Sequence, residues 1–271
     1  MIKTTHTVIT GGASGLGLGL GIRILKRGSK LSVMDLRITE QVRTQLDVAA
    51  KTGKSQWSFF ETDVTNTSGL TQSVEAAIKA YGKPDLVINS AGIINNQTFE
   101  KLDPTDFRRV MEVNLFGSFN VAKATLPNLA DSGRLVLIAS IAGLFSNYGY
   151  AAYGTSKFGV VGLATTLRYE YAQRGLHITC VCPPEVRTPM VEYERQPGNA
   201  DPISIGMKDI AGSLGLNEAC DGILAGIDSG NFLVVPGIRS KALVWFGQHA
   251  PGLFFTFANF NIARLMRKQK K

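Results

Sequence analysis

Short apolar segments alternate with helical hydrophobic patterns along most of the 271 residues. The segments are rich in branched side chains, as in strands that are buried on both faces. Repeated strand–helix units of this kind are typical of a parallel sheet covered by helices on both faces. We therefore predict a single α/β domain over residues 1–237, with a doubly wound, seven-stranded parallel sheet, followed by a C-terminal extension over residues 238–271. The predicted strands are 7–10, 31–35, 57–61, 86–89, 134–139, 177–182 and 232–235, and the predicted helices are 15–27, 40–51, 70–81, 104–130, 158–173 and 217–227.

The basic charge of the chain is concentrated near its end. The formal net charge is +8, but five positive charges lie in the last eight residues, which leaves +3 for the rest. We therefore expect no basic groove and no nucleic-acid partner. The three cysteines form no cluster with histidines, so we predict reduced, buried thiols and no metal site. No basic and apolar leader precedes the first strand, which favours a cytoplasmic location.

A glycine-rich turn, residues 10–17, lies between the first predicted strand and the first predicted helix. Glycines allow the backbone to approach a pyrophosphate, and the N-terminus of the helix offers unpaired N–H groups. In the first strand–helix unit, such a turn is typical of Rossmann dinucleotide-binding folds. The cofactor contacts predicted from this turn are Gly11, Ser14, Gly15, Leu16 and Gly17.

An acidic residue, Asp35, ends the second predicted strand and is followed by Leu36 and Arg37. A carboxylate at this position accepts hydrogen bonds from a ribose 2′-hydroxyl and repels a 2′-phosphate. This favours NAD over NADP as the cofactor. Arg37 would suit a phosphate, so NADP stays open as the alternative. All three residues are predicted to contact the cofactor.

A tyrosine and a lysine, Tyr153 and Lys157, are four residues apart just before the helical pattern of residues 158–173. On a helix they would share one face. A nearby ammonium favours the phenolate, so we expect Lys157 to lower the phenol pKa toward the range useful for proton transfer. Ser140 follows the fifth strand and is predicted to lie beside them.

Taken together, these motifs resemble the short-chain dehydrogenase/reductase family over about residues 5–237. The glycine turn matches, and so do Thr62-Asp-Val-Thr65, Asn89-Ser-Ala-Gly92 and the Asn of Met111-Glu-Val-Asn114. The family usually has Pro-Gly after the sixth strand, where this chain has Pro183-Pro184. That variant is similar to the 3-ketosphinganine reductase branch, which is associated with NADPH. The resemblance implies catalytic roles for Asn114, Ser140, Tyr153 and Lys157, and cofactor contacts from Asp63, Val64, Asn89, Ser90, Ala91, Gly92, Tyr153, Lys157, Pro183, Val186 and Thr188.

The implied activity is hydride transfer between a nicotinamide and a secondary alcohol or ketone of small-molecule size. Tyr153 would be the general acid/base, Lys157 would hold the nicotinamide ribose, and Ser140 would bind the substrate oxygen. Asn114 would hold a water that links Lys157 to solvent, unless it only bonds nearby backbone. The family also implies a homodimer or homotetramer. A non-catalytic nucleotide-binding or membrane-surface scaffold of the same fold is the alternative.

Two segments are expected to determine the substrate and the partners. Residues 189–215 are predicted to form a loop over the site that could cover an apolar acyl, sphingoid-like or steroid-like substrate. Residues 242–263 contain six Trp and Phe side chains and no charged residue, and basic residues follow. This pattern favours a segment at a membrane surface. A dimer contact, a lid over an acyl substrate and a membrane-spanning helix are the other possibilities.

Overall fold

The structure, a computed structural model, describes residues 4–269. Within these residues, seven strands form one parallel sheet in the order β3-β2-β1-β4-β5-β6-β9. The order reverses between β1 and β4, which leaves a crevice at the carboxyl ends of these two neighbouring strands. The predicted fold class and all seven predicted strands are confirmed. The strands are β1 (His6–Thr10), β2 (Lys30–Asp35), β3 (Trp57–Glu61), β4 (Leu86–Asn89), β5 (Arg134–Ile138), β6 (His177–Val181) and β9 (Leu233–Val234).

Helices cover both faces of this sheet, and each face has its own hydrophobic core. One core is formed under α1 (Gly15–Lys26), α2 (Glu40–Gly53) and α10 (Leu216–Asp228). The other lies under α3 (Thr67–Tyr81), α5 (Gly117–Thr125) and α7 (Ala151–Ala172). The strands between the two cores are buried, as their apolar sequences require. Tyr153 and Lys157 both lie on α7, which begins seven residues before the predicted helical segment.

The long helix predicted for residues 104–130 is interrupted. It consists of α4 (Pro104–Met111), a π-helical segment (Glu112–Phe116), α5 and a 3₁₀ turn (Leu126–Asn128). π-Helical turns are rare and occur frequently at functional sites. Here the turn contains Asn114, which is fully buried. The simple helical periodicity of the sequence did not reveal this insertion.

The segment predicted as a loop, residues 189–215, contains two helices. These are α8 (Pro189–Glu194) and α9 (Pro202–Ala211), and proline stands at the start of each, where its missing N–H costs nothing. The short strands β7 (Glu185–Val186) and β8 (Ser213–Leu214) pair in parallel at the two ends of the segment. Proline and glycine content therefore suggested too little regular structure here.

The C-terminal extension forms two helices, α11 (Ile238–His249) and α12 (Pro251–Gln269), and α12 packs against α9. In the part of the chain from residue 4 to residue 269, no helix is long and apolar enough to cross a membrane. The predicted basic end of the extension includes Lys270 and Lys271, which lie outside the described residues. The small loop helix α6 (Ala142–Phe145) completes the set of elements near the site.

Two helical glycines provide a test of the packing at the first turn. A Cβ on Gly17 would lie 2.1 Å from the Gly11 carbonyl oxygen, whereas a Cβ on the exposed Gly162 would meet nothing within 4 Å. Alanine is favoured over glycine in a helix by up to about 1 kcal/mol. We expect Gly162→Ala to raise the free energy of unfolding by that amount, and Gly17→Ala to lower it by roughly 1–3 kcal/mol. Urea denaturation measures both, and equal stabilisation by the two variants would contradict the packing.

Candidate active site

The glycine turn forms a cradle at the carboxyl end of β1. Gly11 has a φ of +64°, and a Cβ there would lie 2.6 Å from the backbone nitrogen of Ala91. Only glycine fits such a left-handed and crowded position. Ser14 precedes α1 in an extended conformation and makes no side-chain cap, so the N-terminus of the helix has no side-chain partner there. The cradle therefore has the shape and the free N–H groups that a pyrophosphate requires.

Asp35 is held against this cradle by backbone hydrogen bonds. Its Oδ2 accepts from the Ala13 N–H at 3.0 Å, and its Oδ1 accepts from the Leu36 N–H at 2.8 Å. The carboxylate thus has a fixed orientation at the end of β2. Both Asp35 and Leu36 line the main cavity, whereas Arg37 is exposed and does not line it. The predicted contact between Arg37 and the cofactor stays a prediction.

The main cavity has a volume of about 1480 Å³ and runs along the carboxyl edge of the sheet. Most of the predicted site residues line it. These are Gly11, Ser14, Gly15, Leu16, Asp35, Leu36, Asp63, Val64, Ser90, Ala91, Gly92, Ser140, Tyr153, Lys157, Pro183, Val186 and Thr188. Four of the predicted residues do not line the cavity, namely Gly17, Arg37, Asn89 and Asn114.

Asn89 and Asn114 lie behind the cavity wall, where they connect elements. Asn89 accepts a hydrogen bond from Thr10 at 2.6 Å and donates one to Ser118 at 2.8 Å. Asn114 accepts from the Ile93 N–H at 2.8 Å and donates to the Ile93 carbonyl at 2.9 Å. The Asn114 side chain also donates to the Ser156 hydroxyl at 3.0 Å. Its partners are thus distant in the sequence, and its role in holding a water stays a prediction.

Ser140, Tyr153 and Lys157 come together at the middle of the cavity. The side chains of Ser140 and Tyr153 hydrogen-bond to one another. The Lys157 ammonium lies 5.6 Å from the centre of the Tyr153 ring and donates to the Ile138 carbonyl at 3.0 Å. Ser140 lies just after β5, while the other two residues lie on one face of α7. The juxtaposition predicted from the sequence is thus present.

Burial, more than mutual charge, controls the titration of this group. Burial raises the pKa of Tyr153 to about 12, an effect that the Ser140 hydrogen bond opposes and the Glu194 carboxylate reinforces. Burial also lowers the pKa of Lys157 to about 8. The predicted decrease of the phenol pKa is therefore absent from the protein alone. The reason is that desolvation disfavours the charged form of each group.

The outer part of the cavity was only partly foreseen from the sequence. Aromatic and aliphatic side chains of the extension line it, which agrees with the lid interpretation of the tail. These are Ala242, Leu243, Phe246, Phe254, Phe255, Phe257, Ala258 and Ile262. A buried ionic cluster of Glu185, Glu194 and Lys208 also lines the cavity. No sequence pattern joins these three residues, since they come from three different short elements.

The chain matches the family described as short chain dehydrogenase over residues 5–198, and it belongs to that family. It is an oxidoreductase of the kind that acts on CH–OH groups. Among its relatives is 3-dehydrosphinganine reductase TSC10B from Arabidopsis thaliana, which is 34% identical over 240 residues, or 86% of this chain and 70% of the relative. The TSC10A form from the same plant is 32% identical over 238 residues, or 86% of this chain and 71% of the relative.

The fold is also similar to that of solved structures. A short chain dehydrogenase/reductase from Burkholderia phymatum, in complex with NAD, superposes with a TM-score of 0.79. It is 23% identical, and the match covers 93% of this chain and 96% of the other. This likeness confirms the fold.

The buried lysine provides a pH-dependent test of the site. In the folded chain Lys157 loses its proton at about pH 8, but in the unfolded chain it does so near 10.5. The unfolded state therefore binds more protons between these values, so wild-type stability should rise with pH there relative to Lys157→Met. The shift corresponds to a relative gain on the order of 3 kcal/mol. Urea denaturation from pH 7.5 to 10.5 measures this gain in the free energy of unfolding, and Lys26→Met, at an exposed lysine, is the control. A pH-independent difference between wild type and Lys157→Met would contradict the burial of Lys157.

Proposed function

We propose that this protein interconverts a long-chain ketone and the corresponding secondary alcohol, with a nicotinamide dinucleotide as hydride carrier. The observation that supports this most directly is the continuity of the cavity. One space of about 1480 Å³ is lined at one end by the glycine turn, in the middle by Ser140, Tyr153 and Lys157, and at the other end by the aromatic side chains of α11 and α12.

The cofactor would be held by the residues of the first turn and of the neighbouring strand ends. Gly11 and Gly15 would face the pyrophosphate, Asp35 the adenosine ribose, and Val186 and Thr188 the nicotinamide carboxamide. A bound nicotinamide supplies or accepts the hydride. The protein orients the carbonyl, excludes water and handles the proton.

In the reductive direction, Tyr153 would donate its proton to the substrate oxygen. A phenol whose pKa is raised to about 12 is protonated at neutral pH, so a proton is present for transfer. Ser140 would donate a second hydrogen bond to the same oxygen and stabilise the charge that develops there. The Lys157 ammonium, held by the Ile138 carbonyl, would favour the phenolate after the proton has left.

The substrate would carry a long apolar chain, as in 3-dehydrosphinganine. The chain would lie along the apolar part of the cavity beside Phe246, Phe254 and Ile262. The similarity to two plant 3-dehydrosphinganine reductases supports the same substrate class. Pro183-Pro184 after β6, the sequence feature that first indicated this branch, also lies in the cavity wall.

The proposed function is tested by varying the length of the ketone substrate and by removing the Tyr153 hydroxyl. Burial of each additional CH₂ contributes about 0.8 kcal/mol, so kcat/KM should rise by up to about fourfold per CH₂ until the cavity is filled. Tyr153→Phe should reduce turnover by at least about 100-fold, because it removes the proton donor. Oxidation of NADH and NADPH with methyl ketones of increasing length measures both effects.

Tyr169→Phe is the matched control for that variant, since Tyr169 lies on the same helix and is 72% exposed. It should behave as wild type. Near wild-type turnover in Tyr153→Phe would exclude the proposed proton donor, and equal kcat/KM for short and long ketones would exclude the apolar substrate.

We also propose that NAD is preferred over NADP, because the Asp35 carboxylate is fixed at the ribose position. Asp35→Asn keeps an oxygen that can accept from Ala13 but removes the negative charge. The ratio of kcat/KM for NADPH to that for NADH should rise by roughly tenfold or more, which corresponds to about 1.4 kcal/mol. Glu40→Gln, an exposed change at the start of α2, is the control for charge. An unchanged ratio in Asp35→Asn would refute the assignment.

We also propose that the protein is cytoplasmic and that the extension places it at a membrane surface. On α12, Leu253, Phe257 and Phe260 are exposed on one side of the helix, and the helical spacing continues this stripe into Arg264 and Arg267. An apolar stripe that ends in arginines is complementary to a bilayer containing anionic lipid. A second exposed apolar patch, Phe116, Phe119 and Phe158, would serve a homodimer or homotetramer.

Sedimentation with phosphatidylcholine vesicles, with and without phosphatidylserine, tests the membrane contact. Each basic residue near an anionic surface contributes about 1 kcal/mol, so Arg264→Gln with Arg267→Gln should weaken binding by roughly tenfold or more. Phe260→Ser should weaken binding to both kinds of vesicle. Val48→Ser, an exposed apolar change on α2, is the control. Sedimentation of all variants like wild type would rule out the contact.

A further inference from the structure

A carboxylate from the substrate segment is buried beside the catalytic group. Glu194 is the last residue of α8 and is only 1% exposed. Its Oε1 accepts hydrogen bonds from the Tyr150 hydroxyl at 2.9 Å and from the Asn96 side chain at 2.7 Å. Its Oε2 forms an ion pair with Lys208 of α9. A buried carboxylate with three partners on three different segments has a defined position.

Only one side chain separates Glu194 from the proposed proton donor. Tyr150 immediately precedes α7, and its ring packs edge-on against the ring of Tyr153 at a centroid distance of 5.1 Å. Tyr150 is itself 6% exposed, so it cannot turn into solvent. Tyr150 is thus bonded to Glu194 of α8 through its hydroxyl and contacts Tyr153 through its ring.

The same carboxylate belongs to a cluster that anchors the substrate segment. Lys208 also forms an ion pair with Glu185 of β7 at 2.5 Å. Arg195 forms ion pairs with Glu185 at 2.6 Å and with Asp209 at 2.9 Å. β7 begins two residues after Pro183, whose carbonyl accepts a hydrogen bond from Ser140 at 3.4 Å. The cluster therefore links α8 and α9 to Tyr153 through Tyr150, and to Ser140 through β7 and Pro183.

We propose that Glu194 is a positioning residue that holds the catalytic Tyr153 in place through the ring of Tyr150. Because Glu194 lies on α8 and pairs with Lys208 of α9, the packing of these two helices is coupled to proton transfer. This rests on the proposed role of Tyr153. The charge of Glu194 has a second consequence, since a nearby carboxylate disfavours the phenolate and contributes to the raised pKa of Tyr153. The other ionisable groups around Glu194 are Lys208, Glu185 and Tyr150.

Two variants separate the contact from the charge. Glu194→Gln removes the charge, and Tyr150→Phe removes the hydrogen bond but leaves the charge. We expect both to lower kcat by roughly tenfold with the KM for NADH unchanged, because neither Glu194 nor Tyr150 is among the proposed cofactor contacts. Glu192→Gln is the matched control, since it removes the same charge from an exposed position of α8.

Folding of each variant is checked by thermal unfolding and by NADH binding. A wild-type kcat in Glu194→Gln or in Tyr150→Phe, or a loss of kcat that is matched by an equal rise of the KM for NADH, overturns the proposal. If Glu194→Gln does not fold, the kcat of Tyr150→Phe decides alone. Tyr153→Phe is measured alongside: if it retains turnover, the proposed function itself fails, whereas an inactive Tyr153→Phe beside an unaffected Tyr150→Phe rejects only the role of Glu194.

Discussion

The structure depends on the reversal of strand order between β1 and β4 in a fully parallel sheet. Because all strands point the same way, their carboxyl ends meet at one edge, and the reversal opens a crevice there. Residues that are far apart in the sequence, such as Gly11, Asp35 and Ser140, consequently line one cavity. Two apolar cores, one on each face of the sheet, pack against the strands whose carboxyl ends carry these residues.

Desolvation is the main cause of the shifted pKa values of Tyr153 and Lys157 at this edge of the sheet. Lys157 and Tyr153 are both shifted toward their neutral forms, so in the protein alone the pair does not form a phenolate–ammonium couple. The phenol of Tyr153, which lies near Ser140, Lys157 and the Tyr150 ring, has a pKa raised by desolvation to about 12 and is protonated over the whole neutral range. Burial also raises the free-energy cost of losing a hydrogen bond, because a buried group that loses its partner cannot bond to water instead. This is why the hydrogen bonds of Asn114, Ser140 and Tyr150 are all satisfied within the protein.

Local patterns were sufficient to predict the sheet, the glycine turn and the juxtaposition of Ser140, Tyr153 and Lys157, because strand hydrophobicity and short motif spacings are set by neighbouring residues. The catalytic roles of these side chains stay a prediction. Three features were not accessible in this way. The π-helical turn around Asn114 keeps a helical periodicity, so it cannot be distinguished from an ordinary helix. The helices within residues 189–215 begin at prolines that also suggest loops. The ionic cluster of Glu185, Glu194 and Lys208 exists only because the tertiary fold brings together elements with no shared pattern.

The central claim is that one cavity holds a dinucleotide at the glycine turn and an apolar chain against α12, with the reacting carbonyl between them. A crystal structure of the full chain with NADH and a long-chain ketone tests this directly. The account predicts the ketone oxygen within hydrogen-bond distance of both Tyr153 and Ser140, and the alkyl chain along Phe246, Phe254 and Ile262. A ketone bound outside this cavity, or a carbonyl directed away from Tyr153, would contradict it.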